Sequence, residues 1–76
     1  MFEELKNVLS EQLGIETDIT MESKLKEELG IDSLLALELS ITLENKYNID
    51  ISEEELTTLK TVKDVVKLLE SKGVNA

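Results

Sequence analysis

Few side chains in this sequence can make or break a covalent bond. Its 76 residues include neither histidine nor cysteine. That excludes a serine or cysteine nucleophile activated by an imidazole, and it excludes ordinary zinc and iron–sulfur sites, whose ligands are thiolates and imidazoles. No glycine loop suited to cradling phosphate and no D-x-D-x-D-G calcium loop is present. Neighbouring acids such as Glu27 and Glu28, or Glu53 to Glu55, fall on helical stretches and read as solvated faces rather than acid–base pairs. One hydroxyl stands apart. In Leu29-Gly30-Ile31-Asp32-Ser33-Leu34, Asp32 reads as a helix N-cap and Ser33 as the first helical residue. Ser33 then projects from a helix N-terminus beside unpaired amides and the positive end of the dipole, a place that favours an attached phosphate. The charge of Asp32 opposes a phosphate, but at an exposed position salt screens that repulsion. The competing reading is that Asp32 or Ser33 only caps the helix, and local grammar alone favours it by about two to one. Against it, Ala36 stands three positions after Ser33 where a capping box needs an acid or Gln. With no imidazole to act as base, any covalent chemistry at Ser33 must be done to it by another protein.

The elements that would position this serine can be read from periodicity. The three glycines follow apolar stretches at Leu13-Gly14, Leu29-Gly30 and Lys72-Gly73, where a left-handed residue stops a helix. A first helix is predicted over residues 2–13, with Phe2, Leu5, Val8, Leu9 and Leu13 on one stripe. A loop over 15–22 follows, then a short helical turn over 24–29. The longest helix runs from Ser33 to Tyr47, and Asn48 to Ile51 form a short extended connection. Ser52 and Glu55 make a capping box that opens a short helix ending near Leu59. Thr61 and Asp64 repeat that logic for a last helix, stopped at Gly73. The expected fold is all-α: a four-helix bundle with one short helix and a long first loop, in a single domain over residues 1–76.

The helix after Ser33 has more apolar faces than a small bundle needs. Ala36, Leu39, Leu43 and Tyr47 form one stripe suited to a core. Leu34, Leu37 and Ile41 form a second stripe rotated from the first, with Glu38 and Glu44 nearby. Either this helix is buried on two sides, or the second stripe is an exposed apolar ridge with acidic flanks that partners grip.

Composition bounds the rest. Leu, Ile, Val and Phe make up 26 of the 76 residues, well above the roughly one-fifth below which a charged chain stays disordered. The core is small, since a chain this size buries only about 60% of its unfolded surface. The net charge is −9, which argues against nucleic acid and anionic membranes as partners and suits docking to basic protein surfaces. The acidity is uneven: residues 32–55 carry −6, whereas 56–76 carry +2. No apolar run approaches a membrane span of about 20 residues, and the N-terminus lacks the pattern of a secretory signal.

The stretch Leu29 to Leu34, with Asp32-Ser33-Leu34 at its centre, resembles the attachment motif of acyl carrier proteins. The similarity extends through Glu38-Leu39, Leu43-Glu44, Tyr47, Ile49 and Ile51, the Ser52–Glu55 helix start and Thr61-Val62. The chain also has the family's size, acidity and helix order. The resemblance implies that a phosphopantetheinyl transferase attaches 4′-phosphopantetheine from coenzyme A to Ser33 through a phosphodiester, with Asp32 and Leu34 completing the motif. It implies a cytoplasmic, monomeric carrier, not an enzyme, that delivers acyl groups as thioesters to acyl-transferring and acyl-modifying enzymes. Those partners would have basic docking surfaces and recognise Leu34, Leu37, Glu38, Ile41 and Glu44. The sequence departs from many fatty-acid carriers at Leu35, where an acid is common, and at Ser40 and Lys46. Its cargo is therefore read as fatty acyl or a related polyketide or specialised lipid acyl group. An acyl chain is expected to enter the core between the long helix and the short one, lined by Leu39, Leu43, Ile51, Leu56 and Leu59. The alternatives are an aminoacyl, D-alanyl or peptidyl carrier, and an unmodified acidic helical adaptor.

Overall fold

Residues 2–74 are described by a computed structural model. Helix α1 covers Phe2–Asn7 and continues as a π-helical segment over Val8–Gln12; α2 covers Ser33–Tyr47, α3 Glu53–Thr57 and α4 Val62–Ser71. Among the described residues there is no strand, only an isolated antiparallel bridge between Lys24 and Thr61. The all-α bundle with one short helix and a long first loop is the observed fold.

The starts of α2, α3 and α4 follow from their capping side chains. Ser52 Oγ accepts the Glu55 amide at 3.1 Å and Glu55 Oε1 accepts the Ser52 amide at 3.0 Å, which completes the capping box of α3. Thr61 and Asp64 do the same for α4. The end of α2 uses Asn48, a non-glycine residue with φ 54°, as its left-handed cap.

Two boundaries differ from expectation, at the first helix and at α3. The first helix is not uniformly α: the Leu13 amide reaches back five residues to Val8 O, and the wider turn leaves consecutive Val8 and Leu9 both buried. The segment over 24–29 makes the short turn expected of it, with Glu28 N and Leu29 N both bonded to Lys24 O. The Leu25 amide is spent on Lys60 O. Helix α3 stops at Thr57, since the Thr58 and Leu59 amides take partners three residues back and tighten the last turn.

The core joins all parts of the chain. Leu5, Val8 and Leu9 from the first helix meet Leu39 and Leu43 of α2 and Val62, Val65 and Leu69 of α4, with Ile19, Leu25, Leu29 and Ile31 contributed by the first loop. Polar ties fix the ends. The Tyr47 hydroxyl donates to Glu4 Oε1 at 2.8 Å, joining α2 to α1. Lys72 pairs with Glu55 at 2.9 Å, joining α4 to α3. The first loop is stitched to the start of α4 by bonds from Val62 N to Ser23 O and from Lys63 N to Met21 O.

Candidate functional site

The site grows out of the residues just before α2. Gly30 takes φ 69°, a conformation that costs a side-chain-bearing residue strain, and so turns the chain out of the 24–29 segment. Ile31 is then buried, with its amide on Leu25 O at 2.9 Å. Asp32 is extended, and its Oδ1 accepts the Leu35 amide at 2.9 Å while its carbonyl accepts the Ala36 amide. It is therefore Asp32, not Ser33, that caps α2. Ser33 is exposed at the first helical position, and its hydroxyl makes no hydrogen bond among the described residues. The Ser33 and Leu34 amides likewise have no partner there and form the positive end of α2.

Downstream of Ser33, α2 settles the choice between its two apolar stripes. Leu39 and Leu43 are fully buried and Ala36 and Tyr47 half-buried, as a core stripe requires. Leu34, Leu37 and Ile41 are 65%, 49% and 47% exposed, the large hydrophobic residues left in solvent. The second stripe is thus an exposed ridge, and burial of α2 on both sides is excluded. Leu35 packs partly against the core. Ser40 is buried, and its hydroxyl is satisfied by Leu37 O at 2.8 Å.

The two acids expected beside the ridge divide. Glu38 is exposed, with no partner among the described residues. Glu44 is half-buried, and its Oε2 accepts the Ile51 amide at 2.8 Å, so it anchors the connection to α3. Nothing in the sequence distinguishes these two glutamates except that Glu44 lies one turn from the helix end.

Beside Ser33 opens a groove of about 960 Å³. One wall is the start of α2, from Ser33 to Leu39; the others are α3 and the paired stretches around Lys24–Lys26 and Leu59–Thr61. Its apolar lining includes Leu25, Ile31, Leu39, Leu56 and Leu59. Of the residues expected to line an acyl pocket, Leu39, Leu56 and Leu59 line this groove. Leu43 and Ile51 do not line the groove: Leu43 is one turn further along α2, where the core has already closed over it, and Ile51 lies before α3 begins. Leu25 and Ile31, which do line it, come from the 24–29 turn and from the residue before Asp32, neither of which was expected to line a pocket. The groove edge also carries Lys24, Lys26 and Lys60.

Charge acts locally on three groups. The Lys72 ammonium, then the Ser52 amide, hold Glu55 below the usual carboxylate range. The Lys60 amide, followed by that of Thr61, does the same for Asp64. Burial, reinforced by the Glu4 carboxylate, pushes the Tyr47 phenol up to about 12. The Glu55 and Tyr47 effects accompany ties between elements, and that on Asp64 belongs to the cap of α4. Among the described residues no cluster of acids could hold a metal ion, and no helix is long and apolar enough to cross a membrane.

A helical bundle that presents a free hydroxyl at a helix start, beside a groove and an exposed ridge, belongs to the class of proteins that carry a prosthetic group for other enzymes. The comparisons agree. Residues 3–69 match the family model described as the phosphopantetheine attachment site. The chain is 43% identical over 72 residues to an acyl carrier protein of Coprothermobacter proteolyticus, covering 93% of this chain and 88% of that one. It is also 43% identical over 72 residues to the acyl carrier protein of Wolinella succinogenes, with 93% and 95% covered. A crystal structure of an acyl carrier protein from Thermotoga maritima superposes with a TM-score of 0.81 at 27% identity, over 92% of this chain and 82% of that one. The chain belongs to the acyl carrier protein family. It is a carrier that works with 4′-phosphopantetheine, and not an enzyme.

Proposed function

We propose that Ser33 is the attachment point of 4′-phosphopantetheine, with Asp32 and Leu34 as the flanking residues of its motif. The observation that carries this reading is the Ser33 hydroxyl itself: exposed, at the first position of α2, and free of any hydrogen bond among the described residues. The residues suit the group. Capping is done by Asp32, which leaves the serine oxygen unengaged, and the two unpartnered amides beside it favour the negative charge of a phosphodiester. When bound, the group supplies a thiol at the end of a long arm, and acyl groups are carried on it as thioesters. The chain's own residues do the rest. Leu34, Leu37 and Ile41, with Glu38 beside them, form the face offered to a phosphopantetheinyl transferase and to acyl-transferring and acyl-modifying enzymes with basic surfaces. Glu44 supports that face indirectly, by holding the connection to α3. Leu39, Leu56 and Leu59 offer an apolar lining to an acyl chain in the groove beside Ser33, with Leu43 behind them in the core. The setting is a cytoplasmic monomer serving fatty-acid or related lipid biosynthesis.

The test is the intact mass after co-expression with a broad-specificity phosphopantetheinyl transferase. The wild-type chain gains the mass of one phosphopantetheinyl group. Ser33→Ala keeps the helical circular dichroism and gains nothing. A gain on Ser33→Ala would move the attachment to another residue, and no gain on the wild type would make the chain an unmodified adaptor.

A further inference from the structure

The groove beside Ser33 has a feature that an alkyl chain does not need. Its lining contains three of the chain's eight Lys and Arg residues, Lys24, Lys26 and Lys60, although the chain as a whole carries −9. They come together because the first loop pairs with the segment before α4: Lys24 bridges to Thr61, and Leu25 N donates to Lys60 O at 2.9 Å. Leu25 is buried between the two loop lysines in sequence, so the apolar floor and the basic edge belong to one piece of structure.

The acids on the same groove are Glu27, Asp32 and Glu53. Glu27 lies 3.6 Å from Lys24 and is that lysine's counterion. Asp32 caps α2 through Oδ1. Among the described residues, neither Lys26 nor Lys60 has a carboxylate within ion-pair distance. Lys26 and Lys60 outnumber Glu53, the one lining acid with neither a cation nor a capping role among the described residues, so the rim complements a ligand that is aliphatic along its length and anionic at its end.

Resting on the reading that the acyl chain enters this groove, we propose that the cargo it favours is an acyl group with a distal carboxylate, with Lys26 and Lys60 as the residues that select it. The aliphatic segment lies against Leu25, Ile31, Leu39, Leu56 and Leu59, and the terminal carboxylate meets the two lysines. An acyl chain ending in methyl fills the same floor and leaves the lysines unmatched. The sign of the effect is diagnostic. A further negative charge on a chain of −9 adds to its self-repulsion, so greater stability than that of the matched alkyl form requires a local positive partner.

The experiment loads the wild-type chain with adipyl- and pimeloyl-pantetheine and, for comparison, with heptanoyl- and octanoyl-pantetheine, each confirmed by intact mass. Thermal melts are then recorded at low and high salt. The carboxylate-ended forms are expected to melt about 1–5 °C above their alkyl partners at low salt, the range that rim ion pairs give in a domain of this size. High salt shrinks the gap, and so does Lys26→Gln/Lys60→Gln, read as the difference between the carboxylate and alkyl forms of the same variant, because the two lost charges lower both melting points alike. Equal or lower melting of the carboxylate forms overturns the selection by lysine, and so does a gap that survives the double substitution. If neither kind of acyl group raises the melting point above that of the unloaded pantetheinyl form, the groove reading beneath it falls as well.

Discussion

At the residue scale, the assignment turns on a division of labour between neighbours. Asp32 caps the helix, so Ser33 does not have to. That division was legible from the order of the two residues and from Ala36, which denies Ser33 a capping box. The division between Glu38 and Glu44 was not legible, because a carboxylate's partner seven residues away depends on how the connection folds back. The same applies to Glu4, whose carboxylate is occupied by Tyr47, whereas Glu3 is exposed. This makes Glu38 and Glu3 the clean pair for testing where partners dock. Glu38→Lys is expected to lower kcat/KM for transferase loading of Ser33 about two- to fivefold at low salt, mostly through slower association. Glu3→Lys changes the net charge by the same amount in α1, next to the glutamate that meets the far end of α2, and is expected to have little effect. Equal losses would mean that net charge alone steers the encounter.

At the element scale, the helix order, the start of α2 and both capping boxes were readable because each is written in a few adjacent residues. What could not be read depends on contacts between distant segments. One such contact is the pairing of the 24–29 turn with the segment before α4, where the Leu25 amide bonds to Lys60 O and Lys24 bridges to Thr61. The groove lining from Leu25 and Ile31 was missed for the same reason. Helix α3 is the element most dependent on its cap: it has five residues and none of them is buried. Ser52→Ala removes an acceptor of the type whose loss costs about 1 kcal/mol. Because isolated short helices do not persist, that loss should appear as local opening. Hydrogen exchange at the Leu56 and Thr58 amides, which bond to Ser52 O and Glu55 O, is expected to accelerate about fivefold. The amides of Val66 and Leu69 in α4 are expected to keep their rates. If both helices accelerate together, α3 is not an independently opening wall of the groove.

At the scale of the whole molecule, stability is set by a small aliphatic core working against a net charge of −9. Two opposing dependences on pH follow. Glu55 and Asp64 have folded pKa values below the ordinary carboxylate value, so their contribution is present above that range and is lost as pH falls through it. Protonating exposed acids that accept no hydrogen bond among the described residues, such as Glu3 and Glu38, reduces the net negative charge and relieves self-repulsion. On moving down from neutrality, relief therefore acts first and the loss of the two tied carboxylates comes last. Tyr47 has the opposite sign. Its pKa is raised from 10.0 to about 12, so the bond to Glu4 that ties α2 to α1 is fully present below pH 10 and lost as pH rises towards 12. The melting point is thus expected to be highest on the acid side of neutrality, near pH 5, falling below about pH 4 and again above about pH 10. Added salt should raise it at pH 7 by screening the repulsion, and do much less at pH 5. Melts across this range in low and high salt decide the matter, with Tyr47→Phe as the control that removes the extra alkaline loss. A maximum at pH 7 or above in low salt would show that local ties such as those of Glu55 and Asp64 outweigh the self-repulsion of the acidic surface.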